Sequence, residues 1–234
     1  LLALDRAEAL AIEGSRELPS ECLCLRAEVW IQSSQLGKAA QLLGPLSTLA
    51  QAEQKCSAWA AYACALIEHL QGRAHQETYA PAIQLAGRIG DARTEQRAML
   101  SEGVLLYELS SIERARQRLQ RSADLGLLLG APRARGLALH SLGDIEHHLG
   151  NYDAARSAWS ESLNAFNRAS FALGEAFVSH SRARLGRSRS RPPESAARSG
   201  TTSVSRSRPR CLRQPEMWSL TMTLRSQGSG FPRK

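Results

Sequence analysis

The sequence predicts an all-α protein, a right-handed solenoid of antiparallel helical hairpins followed by a disordered basic tail. Three observations carry this prediction. Apolar residues recur at three- and four-residue spacing through most of residues 1–186. The pattern superposes on itself when Met99 is set on Leu139, a shift of 40 along the chain. From Arg187 onward the composition turns to arginine, serine and proline with few apolar residues, too few to offset the entropy of ordering the segment.

Taken in chain order, Leu1 to Arg16 reads as the second helix of a truncated hairpin, in a chain that starts without Met and therefore reads as a fragment. Leu25-Arg26-Ala27-Glu28, Leu36-Gly37-Lys38-Ala39-Ala40 and Leu43 form the next copy. Gly37-Lys38 lacks the preceding glycine of a phosphate loop and reads as a helix start. Trp59 to Tyr79 forms a degenerate copy, and Pro45 and Pro81 are expected to kink or shorten their helices.

The clearest copy runs through Leu139, Leu142-Gly143, Gly150-Asn151-Tyr152, Ala155, Trp159 and Leu163. Its preceding counterpart, in the same register, holds Met99, Gly103, Ser110, Ile112, Ala115, Leu119 and Ala123, with Glu102 against Leu142 as the main mismatch. Gly143 and Ala155 are small where two helix backbones must approach, and Gly150-Asn151 stops a helix. Tyr152 and Trp159 are expected to fill the space between neighbouring hairpins. Ile89-Gly90-Asp91 and Leu129-Gly130-Ala131-Pro132 mark the breaks between successive hairpins, and Phe171 to Arg184 begins another first helix.

These residues, above all L-x-x-L-G at Leu139 to Gly143 and G-N-Y at Gly150 to Tyr152 with Ala155 and Trp159, resemble the tetratricopeptide repeat. His75 stands where the family usually has Ala. The resemblance covers residues 1–186 and implies about four to five repeats. The spacing of 40 exceeds the family's usual length of about 34, and the extra residues are expected in the second helix and its loop. Long repeats of this kind resemble the regulatory regions of bacterial signalling ATPases, transcriptional regulators and kinases. The resemblance thus implies a noncatalytic interaction or scaffold module of a larger cytoplasmic bacterial signalling protein.

Family geometry further implies a concave groove lined by one stripe of each first helix. Arg97, Leu100, Val104 and Tyr107 align with Leu137, His140, Asp144 and His147, and with Ser57, Ala60, Cys64 and Ile67 before them. Tyr107, His140 and Arg97 are the expected anchors, since aromatic residues and Arg dominate interface energetics. Chaperone-gripping members carry Lys and Asn on this stripe; here Leu100, Val104, His140 and Asp144 occupy it. The mixed lining suits a peptide, an amphipathic helix or another domain of the parent chain, and a stack with open ends also allows self-association.

The net charge of +8 raises nucleic acid as a partner, but its distribution places it elsewhere. Residues 182–234 hold 13 basic and two acidic residues, whereas residues 1–181 are net −3. Nucleic-acid binding is therefore the alternative function of the tail at 187–234, which a frameshift would also explain. The regulatory fragment of an enzyme with its catalytic domain elsewhere is the other alternative. The apolar stretch Trp59–Ile67 is too short for a membrane span, and the amino terminus lacks the basic leader of a signal peptide.

Cys22, Cys24, Cys56, Cys64 and Cys211 show no zinc spacing and read as buried thiols in a reducing compartment. His140, Asp144, His147 and His148 share helical spacing that suits a metal, but the same stripe is expected to face the groove, and no cofactor is expected. Phosphate-loop, dinucleotide, nucleophile-elbow and metalloprotease motifs are absent from the sequence, so no catalytic residue is assigned. Glu8, Glu28, Glu113 and Glu161 read as solvating charges on outer helix faces.

Overall fold

The computed structural model describes residues 20–48 and 54–189. The expected helix at Leu1–Arg16, the carboxylate of Glu8, the tail beyond residue 189 and Cys211 lie outside the described residues. Nine α-helices and no strand are found among them: α1 (Ser20–Gln32), α2 (Leu36–Thr48), α3 (Gln54–Leu70), α4 (Ala80–Ile89), α5 (Ala92–Glu108), α6 (Ile112–Leu128), α7 (Pro132–His148), α8 (Tyr152–Arg168) and α9 (Ala172–Arg189). The all-α class expected from the sequence is the class observed. The chain divides into two compact units, with the boundary between Ala98 and Met99 inside α5.

From Ala92 onward the helix starts are evenly spaced, at Ala92, Ile112, Pro132, Tyr152 and Ala172. The first four of these helices are each 17 residues long. The long period is therefore two equal helices with short turns, and the extra length is not confined to the second helix and its loop as expected. Each turn is fixed by a left-handed residue. Gly90, Gly130 and Gly150 have φ of 70°, 57° and 81°, while Ser110 and Ser170 take the same place at 63° and 49°. Turns this short force consecutive packed helices to run antiparallel.

In the first unit α2 packs on α1 and α3, α3 on α4, and the first helices α1 and α3 on each other. Ala27, Ala39 and Leu43 are fully buried, as the repeat pattern requires. Gly37-Lys38 does open a helix, and α2 runs on through Pro45 to Thr48. The second helix expected around His75 is not formed there. His75 instead belongs to a turn in which its backbone N–H donates to Thr78 Oγ1 at 2.8 Å. The helix starts only at Ala80, because Pro81 cannot donate a backbone hydrogen bond and is tolerated in the first turn, where it sits. Tyr79, fully buried, still fills the core position, and its hydroxyl lies 3.0 Å from His69 Nδ1.

In the second unit α7 packs on α6 and α8, α8 on α9, and the first helices α7 and α9 touch directly. Small residues set the hairpin spacing. A Cβ on Gly103 would lie 2.6 Å from Leu119 Cγ, and one on Gly136 would lie 2.5 Å from Phe166 Cε1. A Cβ on Gly143 would overlap the indole of Trp159. Trp159 is buried as expected, but within its own hairpin, and Tyr152 is exposed beside the His147 ring.

Two ion pairs also tie this unit together. Arg118 Nε on α6 lies 2.7 Å from Glu102 Oε2 on α5, whose side chain is 0% exposed. Arg116 Nε lies 2.7 Å from Glu146 Oε1 on α7, and Asn151 Nδ2 donates to Glu146 Oε2 at 2.8 Å. The first pair explains the mismatch in the repeat. Where Glu102 and Arg118 stand, the next repeat has Leu142 and Ala158, so a charge and its partner are exchanged together.

Candidate functional site

The sequence pattern puts the groove stripe on the first helices, and the structure places each of its members. On α5, Leu100, Val104 and Tyr107 are buried and Arg97 is half-exposed. On α7, His140 is buried, while Leu137, Asp144 and His147 are half-exposed. On α3, Ser57, Ala60 and Ile67 are buried and Cys64 is half-buried. Two of the three expected anchors, Tyr107 and His140, are each only 4% exposed.

His140 is held by the neighbouring first helix. Its Nε2 lies 3.1 Å from Ser181 Oγ on α9, and Ser181 Oγ donates to Asp144 Oδ1 at 3.2 Å. Asp144 Oδ2 lies 3.8 Å from His140 Nδ1, one helical turn away. The Phe177 ring of α9 closes the cluster, with its centroid 6.2 Å from that of His140. Because a hydroxyl has a single proton and Ser181 gives it to Asp144, His140 Nε2 carries the hydrogen between itself and Ser181. A serine, a histidine and an aspartate are thus assembled, but as a closed triangle. The serine hydroxyl is spent on the carboxylate and Ser181 is 4% exposed, an arrangement that positions helices and offers no poised nucleophile.

The remaining stripe residues turn elsewhere. The His147 ring lies 5.6 Å from Trp159 and 5.7 Å from Tyr152, toward α8. His148, exposed, sets its ring edge-on to Tyr107 at 5.9 Å. Of the four residues whose spacing suits metal ligands, His140 and Asp144 stay together in the triangle while His147 and His148 turn away from it, and no cluster of three or more His, Cys, Asp or Glu suited to a metal occurs among the described residues.

Other expectations are corrected by burial. Glu28, read as a solvating charge, is 3% exposed, whereas Glu113 and Glu161 are exposed as expected. Cys22, Cys24, Cys56 and Cys64 form no disulfide and are half-buried, where full burial was expected. Burial, with the Glu68 carboxylate adding to it, pushes the Cys64 thiol above its ordinary range, which makes it a poor nucleophile. No described helix is long and apolar enough to cross a membrane.

Sequence pattern does not single out Ser181. Its only signal is register: the repeat shift places it at the position of Ser141, and nothing in that alignment pairs it with His140. Its role is tested by Ser181→Ala, which leaves Asp144 and His140 without their shared partner. Loss of about 1 kcal/mol of stability is expected in chemical denaturation; Ser181→Ala matching wild type would show that the triangle does not fasten α9 to α7.

No family model matches the chain, and no curated protein matches it. Among solved structures, the chain is similar to the crystal structure of BtubC (BKLC) from P. vanneervenii. The TM-score is 0.55 at 15% identity, over 87% of this chain and 94% of that one. At that identity the likeness concerns the fold alone.

Proposed function

We propose that the chain is a noncatalytic protein-interaction module of the tetratricopeptide type, serving as a regulatory scaffold within a larger cytoplasmic signalling protein. It binds a helix, a peptide or a partner domain on the face formed by the first helices α7 and α9. The observation that carries this reading is the direct seating of α9 on α7 through Ser181, His140 and Asp144. That contact holds two first helices side by side, so that half-exposed Leu137 and Phe177 and exposed His148 and His180 are presented on fixed backbones. Preorganised side chains lose little entropy on binding.

The weight of recognition moves from the expected anchors to these rim residues. Tyr107 and His140 support the face from beneath, and their replacement would disturb packing as much as binding. The experiment that tests the function is therefore Leu137→Glu in the full chain. Binding of the protein partner recovered by wild type is expected to fall about tenfold or more, since a buried apolar contact is replaced by an unpaired charge. The helical circular dichroism should be unchanged. Undiminished binding, or recovery of only nucleic acid that is lost at high salt, would overturn the reading.

A further inference from the structure

A second recognition surface lies away from the first-helix stripe, where the α6–α7 turn meets the carboxyl-terminal half of α8. A cleft of about 420 Å³ opens there, with Leu127, Arg135, Glu161 and Arg168 around it. This volume is within the range of sites that take a few side chains. Three features distinguish it from ordinary surface.

The first is apolar exposure. Leu127, which lines the cleft, is 55% exposed, and Leu128 beside it is 81% exposed. Of the two, Leu127 is the one inside the cleft, where its exposed aliphatic surface is available to pack against an apolar side chain. The second is charge. Arg135 and Glu161 lie 3.4 Å apart and offset each other, whereas Arg168 is exposed at the cleft and pairs with no carboxylate that lines it. The cleft is thus left with one uncompensated positive charge. The third is register. The repeat shift puts Leu128 where Arg168 stands, so the stack itself does not require a cation at this position.

We propose that this cleft docks a short acidic peptide segment in which leucines are flanked by glutamate or aspartate. A leucine packs on Leu127, and a flanking carboxylate pairs with Arg168 in the forked geometry that guanidinium favours. Charge complementarity selects this occupant: an uncharged apolar segment leaves Arg168 desolvated and unpaired, and a basic one is repelled. The site is independent of the first-helix face, so the chain presents two separate docking surfaces.

The test uses the full chain and a fluorescein-labelled acetyl-Glu-Leu-Leu-Glu-amide peptide in fluorescence anisotropy. Saturable binding is expected, weakened about fivefold by Arg168→Glu or by the Gln-Leu-Leu-Gln peptide, in keeping with one partly exposed ion pair. Leu127→Ser is expected to weaken it about fivefold or more, whereas Leu128→Ser, outside the cleft, leaves it unchanged. These substitutions all lie at the surface, and circular dichroism checks that the helices persist. Absence of saturable binding, or affinity untouched by Arg168→Glu, overturns the proposal. So does concentration-dependent self-association of the chain that vanishes in Leu127→Ser, because the occupant would then be a second copy.

Discussion

Replacing Arg118 with alanine is expected to destabilise the second unit by about 3 kcal/mol, the lower end of the penalty for removing one member of a buried ion pair, because the Arg118 side chain is itself 35% exposed. Glu102 has no access to water, and its carboxylate is balanced by the Arg118 guanidinium at 2.7 Å. Removing the cation takes away the guanidinium that balances this buried carboxylate, which favours its protonation or the entry of water into the hairpin. Thermal unfolding should fall by roughly 10 °C on this account. The double variant Glu102→Leu with Arg118→Ala installs the pair that the next repeat carries at Leu142 and Ala158. It is expected to unfold at or above the wild-type temperature, since apolar replacements of buried ion pairs are often neutral or stabilising. A double variant as unstable as Arg118→Ala would show that the carboxylate is required for more than its partner.

Gly143→Ala is the second large effect. The added methyl meets the Trp159 indole, and that ring is 1% exposed and cannot swing into solvent. Overpacking of this kind costs about 1–3 kcal/mol, and the confined ring places the expectation at the upper end. Gly150→Ala provides the contrast. A Cβ there meets nothing within 4 Å, but φ is +81°, so only the left-handed backbone is penalised, at about 1 kcal/mol. Urea denaturation of the two variants should rank Gly143→Ala as the more damaging. The reverse order would place the spacing of α7 and α8 in the turn and not in the glycine–tryptophan contact.

Both effects rest on positions that the repeat pattern brings forward, and the way each appears there explains what a sequence conveys. Gly143 was legible because its requirement is local: two helices joined by a short turn must approach, and the residue is small in both copies. The turns at Gly90, Gly130 and Gly150 were legible for a similar reason, since left-handed backbone favours glycine. Glu102 appeared only as a mismatch. Its partner Arg118 lies on the facing helix, and periodicity within one helix carries no information about a charge on another.

The degenerate copy failed on different grounds. Register alone put His75 in a helix, and Pro81, a local constraint, overrode it by allowing the helix to begin only at its own first turn. Glu28 shows that a carboxylate in an amphipathic pattern is assigned to solvent by default, and only packing reveals its burial. The first-helix stripe follows from the 40-residue spacing, and each member falls on the helix expected for it, with Leu100, Val104, Tyr107 and His140 buried. What the spacing could not supply was the α7–α9 contact, which buries His140 against Ser181 and leaves Leu137 at the rim.

The central claim is that partners meet the chain on the first-helix face, and site-specific photo-cross-linking tests it most directly. A benzophenone side chain at position 137 on α7 is compared with one at position 117, an exposed site on α6. The account predicts a discrete protein adduct from position 137 that position 117 does not give. Equal adducts from both positions, or an adduct from position 117 alone, would contradict it.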